Sequence, residues 1–173
     1  DAALLARLIT GRINGGDYSV AEAPVIITNP RIDVATLKAN TQLIGTFTSS
    51  FGGSRSLYDP DRVTNIRIMA GIVNGTVIEP GEIWSINEAA GPRNEETAKT
   101  VGWAYAPGIS DGKYAMEIGG GVCQVSSTVY NAAVRAELEI VERRQHSWPS
   151  HYIMEGMDAT ISTGGPDLKI SNP

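Results

Sequence analysis

The sequence predicts an α+β fold in which a mostly antiparallel sheet packs with two principal helices. Three observations lead to this fold class. Short segments rich in β-branched and aromatic residues recur along the chain, separated by Gly, Pro and Asn turns. Apolar residues follow a helical spacing over residues 60–73 and, most clearly, from about 122 to 137. The segments GWAYAPGI and KYAMEI flank the turn Ser110-Asp111-Gly112, as the two strands of a hairpin do.

The first 40 residues are expected to precede the main domain. Leucine and isoleucine at helical spacing predict a helix over residues 1–14, and Gly15-Gly16 provides its stop. A short strand is expected at Val25–Thr28, and Asp33 is a suitable N-cap for one further helical turn. Because the chain opens within a helix, we expect residues 1–40 to be the tail of an upstream module and its linker.

The main domain is expected to span residues 41–173 and to open with a strand at 43–51, LIGTFTSSF. Asp59 followed by Pro60 then predicts a helix start, because aspartate caps free N–H groups and proline suits the first helical position. This first principal helix is expected to end at Asn74-Gly75.

The remainder is expected to combine short strands with the second principal helix. Two strand pieces surround Pro80-Gly81, and the hairpin leads into Gly119-Gly120-Gly121 immediately before the helix. Further strands are predicted at LEIVERR, SHYI, ATIST and DLKIS.

Composition excludes several classes of function. Fourteen basic and nineteen acidic residues give a net charge of -5, without the basic patch of a nucleic-acid-binding protein. One cysteine forms no internal disulfide, and with two histidines it falls short of a four-ligand structural zinc site. Apolar runs are far shorter than the roughly 20 residues of a membrane span. We predict no cofactor, although a three-ligand catalytic zinc on Cys123, His146 and His151 stays open as an alternative.

Cys123 follows three glycines at the start of the second principal helix. The partial positive charge of a helix N-terminus favours a thiolate, so this position predicts a lowered pKa and a nucleophile. The glycines, Gly120 and Gly121 among them, let a substrate approach and can direct N–H groups into an oxyanion hole, to which Gln124 is a further candidate donor. The alternative is a buried structural cysteine.

His146 is the candidate general base. The strand after the helix must run back along it, which returns the chain towards Cys123. Asp158 is a possible orienting partner for the imidazole or, equally, a turn residue. Arg144, or its neighbour Arg143, is a candidate for binding a substrate carboxylate, and Ser126 is a hydroxyl candidate within the first turns of the helix.

The motifs TNIRIMAGIVNGTVIEPGEIWSINEAAGPR, GWAYAPGI, GGGVCQVSSTVYNAAVRAELEIVERRQHS and GMDATI together resemble the VanW domain, a family named from a glycopeptide-resistance gene cluster and widespread in Gram-positive bacteria. The resemblance covers roughly residues 43–172, and GGGVCQVSSTVYNA is its most specific part. Residues 1–40 resemble the end of the peptidoglycan-binding-type domain that often precedes a VanW domain, frequently behind an N-terminal membrane anchor. The resemblance therefore implies an extracytoplasmic location at the cell wall.

Some members of the family are linked to L,D-transpeptidation of peptidoglycan. The resemblance thus implies a 3-3 cross-linking enzyme that acts on stem peptides through a thioester, with Cys123 as the nucleophile and His146 as its base. With water as acceptor, the same site would be an L,D-carboxypeptidase. The family more often has an aliphatic residue at the position of His151, which argues against a shared role for that histidine. A non-catalytic module that binds muropeptides is the alternative function.

Overall fold

The computed structural model describes residues 2–19, 41–51, 59–110 and 113–173. The chain divides into two compact units, Asp1–Gln42 and Leu43–Pro173. In the first unit, helix α1 spans Ala2–Asn14, as predicted. The predicted strand at Val25–Thr28 and the helical turn after Asp33 lie outside the described residues.

In its described residues, the second unit contains two long helices and two short ones. Helix α2 spans Pro60–Val73, α3 spans Ile86–Ala90, α4 spans Glu95–Thr100 and α5 spans Val122–Arg135. The sequence signals at the start of α2 are confirmed: the Asp59 carboxylate accepts the Arg62 N–H at 2.8 Å, and Pro60 is the first helical residue.

Among the residues that the structure describes, five strands form two antiparallel sheets, which confirms the predicted fold class. Strands β1 (Ile83–Ser85), β4 (Glu139–Glu142) and β5 (Lys169–Ser171) form a three-stranded sheet in the order β1-β5-β4. Strands β2 (Tyr105–Ser110) and β3 (Lys113–Ile118) form the predicted hairpin, with Tyr105 paired to Ile118. The hairpin therefore delivers the chain directly to the glycines that precede α5.

The strand predicted at 43–51 is wrong. This segment lies along α5 instead, where Arg135 donates to the carbonyl oxygen of Thr46 at 2.8 Å and the hydroxyls of Ser49 and Thr128 share a 2.7 Å hydrogen bond. A Cβ on Gly45 would lie 2.4 Å from the Ala132 carbonyl oxygen. Side chains of the helix thus bind the Thr46 and Ser50 carbonyls and the Ser49 hydroxyl, where the prediction expected a neighbouring strand.

The strands predicted at SHYI and ATIST are wrong as well. Residues 151–153 form a turn and a bend, and residues 159–161 bind side chains of α5 rather than a strand. The N–H of Ala159 donates to Ser127 Oγ at 2.9 Å, and the Ala159 carbonyl accepts from the Ser126 hydroxyl. Helix hydroxyls thus take the place of a β-ladder.

The hydrophobic core lies between α2, α5 and the three-stranded sheet, and the hairpin closes one end of it. Its fully or nearly fully buried members are Ile66, Met69, Ile86, Trp103, Val122, Val125, Leu168 and Ile170. This core fixes the first turn of α5 against the middle of α2.

Candidate active site

Cys123 is the second residue of α5, directly after a tight glycine turn. Gly121 is the N-cap and has φ 102°, a left-handed conformation that favours glycine. The N–H groups of Val122 and Gln124 donate to the carbonyls of Gly119 and Gly121. Among the described residues, no hydrogen bond uses the N–H of Cys123. This free donor at a helix start is suited to hold an oxyanion.

The glycine turn is packed too closely for any larger residue. A Cβ on Gly120 would lie 2.2 Å from the Ala106 carbonyl oxygen, and one on Gly121 would lie 2.7 Å from Arg62 Cγ. Asn65, fully buried on α2, donates to the carbonyls of Gly120 and Ala104, both at 3.0 Å, and accepts the Ala104 N–H at 2.8 Å. One amide side chain therefore links α2, the hairpin and the turn that carries the cysteine.

Cys123 and His146 line the same cavity, which has a volume of about 410 Å³. His146 follows β4 by four residues, so the strand does run back along α5 towards its start. Its Nδ1 lies 2.5 Å from Asp158 Oδ2, and the same oxygen accepts the His146 backbone N–H at 2.6 Å. The Nδ1 contact leaves the opposite ring nitrogen, Nε2, for other partners.

Asp158 is itself held in place by Arg143. The guanidinium donates to Asp158 Oδ1 at 3.1 Å and to the Asp158 carbonyl at 2.6 Å. Burial raises the pKa of Asp158, but its hydrogen bonds with the backbone and the ring of His146 outweigh that effect, and the pKa is lowered. Cys123, His146 and Asp158 therefore form a thiol, imidazole and carboxylate series, in which the carboxylate remains charged.

The electrostatics of the series favour a thiolate and an imidazolium. Burial raises the pKa of Cys123, but the interaction with the nearby His146 ring and hydrogen bonds with Ile161 and Thr160 outweigh it, so the pKa is lowered. The Ile161 N–H lies 3.4 Å from Sγ. Burial lowers the pKa of His146, but its interactions with Cys123 and then with Asp158 prevail, so the pKa is raised. A populated thiolate is the form of cysteine that attacks carbonyl carbons.

The other predicted site residues have different positions. Gln124 lines the cavity, but its amide nitrogen donates to Ser49 Oγ and to the Ser50 carbonyl, so it is not a free oxyanion donor. Ser126 is fully buried and donates to the carbonyl of Cys123 at 3.1 Å and to that of Ala159, which serves packing.

Arg144 does not lie at this cavity. Strand β4 ends at Glu142, and Arg144 is exposed at a separate surface depression beside Gly164-Gly165. His151 is exposed at the cavity rim, where its ring stacks on Tyr114 with centroids 6.2 Å apart. Within the described parts of the chain, no group of three His, Cys, Asp or Glu side chains is arranged to hold a metal ion.

Sequence reasoning missed Arg62 and Tyr152, which both line the cavity. Arg62 is only 7% exposed, and its guanidinium lies over the Tyr152 ring, 5.7 Å from the centroid. The Tyr152 ring meets His146 edge-on at 6.4 Å. A signal for Arg62 was present, since it precedes Ile66 and Met69 by four and seven residues, on the apolar face of α2.

These features define a class of protein: an α+β domain with a cysteine at the start of its second long helix. The chain belongs to the VanW-like family: the family described as VanW like protein matches residues 61–173. Over 159 residues, the chain is 36% identical to Uncharacterized protein YoaR of Bacillus subtilis (strain 168), covering 91% of the chain and 50% of that protein.

A second relative is Vancomycin B-type resistance protein VanW of Enterococcus faecalis (strain ATCC 700802 / V583). It is 30% identical over 125 residues, which cover 69% of the chain and 44% of that protein. The chain thus spans about half the length of the curated relatives it matches. No solved structure matches the chain. In the residues that the structure describes, none of the helices is both long and apolar enough to cross a membrane.

Proposed function

We propose that this domain is a cysteine-dependent L,D-transpeptidase that joins peptidoglycan stem peptides outside the cytoplasm. The observation that carries the proposal is that Cys123, at a helix start, and His146 line one cavity, while Asp158 contacts the His146 ring at 2.5 Å from outside that cavity. The relative named as a vancomycin resistance protein supports a role at the cell wall, because vancomycin acts there.

The first half-reaction transfers an acyl group to the cysteine. The Cys123 thiolate attacks the carbonyl carbon at the L-centre of the diaminopimelate residue in a donor tetrapeptide. The N–H of Cys123, without a partner among the described residues, stabilises the resulting oxyanion. The C–N bond to D-alanine then breaks, His146 gives its proton to the leaving amine, and a thioester remains on Sγ.

The second half-reaction releases the acyl group. The side-chain amine of a second stem peptide attacks the thioester carbonyl, neutral His146 takes the proton of that amine, and the C–S bond breaks to return the thiolate. The product is a 3-3 cross-link. Water in place of the amine gives an L,D-carboxypeptidase product.

Asp158 acts on the imidazole rather than on the substrate. Its contact with Nδ1 fixes the ring orientation and stabilises the imidazolium that is needed for protonation of the leaving group. Because Arg143 holds the same carboxylate from the other side, the ring is positioned before a substrate enters.

The test uses purified disaccharide tetrapeptide, with products identified by mass spectrometry. We expect loss of D-alanine and formation of dimers, and we expect Cys123→Ala to abolish both while retaining its circular dichroism spectrum. Full activity of Cys123→Ala would refute the nucleophile assignment. Binding of the tetrapeptide by both proteins without any product would favour a non-catalytic muropeptide-binding module.

A further inference from the structure

Arg62 places a positive charge in the wall of the cavity that contains the thiol. The side chain comes from the buried face of α2 and is 7% exposed. Burial lowers its pKa, and the nearby Tyr152, Cys123 and Asp59 partly offset that effect. A guanidinium nevertheless stays charged at any pH at which the protein is folded. A buried cation of this kind is costly unless a partner compensates it.

The guanidinium has contacts on two sides. Its Nη2 donates to Gln124 Oε1 at 2.8 Å, and its Cζ lies over the Tyr152 ring, 5.7 Å from the centroid. Gln124 cannot turn away easily, because its amide nitrogen is bound to Ser49 Oγ at 3.1 Å and to the Ser50 carbonyl at 2.9 Å. The absence of a side chain on Gly121 provides the space through which Arg62 passes.

The remaining end of the guanidinium has no partner within the described residues. Its Nη1 is buried without a hydrogen bond, and no carboxylate in the described chain lies within ion-pair distance of Arg62. The Asp59 carboxylate is used by the backbone N–H of Arg62. Arg62 lines the cavity, and a guanidinium with an unused donor nitrogen is matched chemically by a ligand carboxylate. Nη1 itself has almost no accessible surface, so a carboxylate reaches it only after neighbouring side chains shift.

We propose that Arg62 binds the free C-terminal carboxylate of the donor peptide and thereby sets where the peptide is cut. This inference rests on the proposed function and specifies its substrate class. Arg62 and Cys123 line the same cavity, and the Arg62 side chain passes Gly121, two residues before Cys123, so the carboxylate and thiol subsites are neighbours. One residue spans about 3.3–3.6 Å at most. A carboxylate on the single residue that leaves, as in a tetrapeptide, is the one nearest to the scissile carbonyl.

A donor with a longer or uncharged end fits this arrangement poorly. In a C-terminal amide, two donors would face Arg62 in place of one acceptor. In a pentapeptide, the carboxylate lies one residue farther from the scissile carbonyl. Arg62 thus takes the role that the sequence had suggested for Arg144.

The test measures binding by calorimetry in the Cys123→Ala protein, which cannot react. The ligands are a stem tetrapeptide with a free C-terminus and the same peptide as its C-terminal amide. A charge-assisted hydrogen bond predicts roughly 10- to 100-fold tighter binding of the acid. Arg62→Gln should remove this preference, and Arg62→Lys should retain part of it.

Two matched controls carry the same change elsewhere. Arg67→Gln alters an exposed arginine on the same helix, and Arg144→Gln alters the arginine at the separate depression, so both should keep the preference for the acid. Loss of the preference in Arg144→Gln, or its persistence in Arg62→Gln, would overturn the proposal. Should Arg62→Gln fail to fold, equal binding of acid and amide with Arg62 intact would still overturn it.

The outcome is independent of the proposed chemistry. If the protein with an intact thiol releases no D-alanine but the Cys123→Ala protein still prefers the acid, the transpeptidase assignment fails and carboxylate recognition by Arg62 stands. If D-alanine from the acid substrate and D-alaninamide from the amide substrate are released equally well, the chemistry stands and the role of Arg62 is refuted.

Discussion

Replacement of Asp158 by asparagine removes the negative charge that faces His146 while it preserves the size of the side chain. One carboxylate oxygen contacts both Nδ1 and the backbone N–H of His146, at 2.5 and 2.6 Å. An asparagine oxygen can occupy that position, but its amide group then faces the Arg143 guanidinium, and donor meets donor. The alternative orientation places the amide against the imidazole.

The expected magnitude follows from the loss of charge. A hydrogen bond to a charged group contributes about 1.5–3 kcal/mol, which corresponds to roughly 10- to 150-fold in an equilibrium. Asp158 raises the pKa of His146, so its removal lowers that pKa and leaves less imidazolium at neutral pH. The pKa of Cys123, lowered in part by the His146 charge, then rises towards its ordinary value.

Alkylation by iodoacetamide reports this change directly, because Cys123 is the only thiol in the chain. Measured by intact mass, alkylation of Asp158→Asn should be about tenfold slower than that of the unsubstituted protein at pH 6. The two rates should converge above about pH 9, where both proteins hold a thiolate. Asp167→Asn is the matched control, since Asp167 is a buried aspartate whose hydrogen bonds are with Ser85 and Asn87 rather than with His146. Equal rates at pH 6 would refute the reasoning.

Three further substitutions test the site and its support. His146→Ala should slow alkylation at pH 7 by about tenfold or more and abolish D-alanine release. His151 lies at the exposed rim of the cavity, so His151→Ala should alkylate within about twofold of the rate of the unsubstituted protein. Gly121→Ala combines backbone strain with a clash between the new Cβ and the Arg62 side chain, so it should lower the free energy of unfolding, measured in urea, by about 2–4 kcal/mol. Gly75 also has a positive φ, but open space surrounds it, so Gly75→Ala should lower that free energy by only about 1 kcal/mol. Asn65→Ala leaves the Gly120 carbonyl and the Ala104 N–H without a partner, while the Ala104 carbonyl keeps the Gly119 N–H, and it should cost about 2–4 kcal/mol, against less than about 1 kcal/mol for the exposed Thr64→Ala. A loss no larger than that control would contradict the linking role of Asn65.

Features that depend on local chemistry could be predicted from the sequence. The cap at Asp59, the hairpin and the placement of Cys123 in the first turn of α5 each follow from residues within a few positions of one another. The segments at 43–51 and 159–163 have strand-like compositions, but their hydrogen-bond partners are side chains of α5. No local pattern shows that a helix will satisfy them.

Part of the candidate site could also be predicted from the sequence. The return of β4 along α5 brings His146 to the cavity of Cys123, as the order of elements suggests. Asp158 lies twelve residues beyond His146, and only the folded loop brings their atoms together. Arg144 was predicted from the rule that adjacent residues of a strand point to opposite faces. The rule does not apply to Arg144, because β4 ends two residues before it.

The most direct measurement is the intact mass of the protein after incubation with a carbapenem, a β-lactam whose carbonyl acylates a reactive thiol at an oxyanion hole. If Cys123 is the acyl-accepting nucleophile, the mass increases by that of one carbapenem, the adduct maps to the peptide that contains Cys123, and Cys123→Ala shows no increase. An unmodified protein, or an adduct that persists in Cys123→Ala, would contradict the assignment.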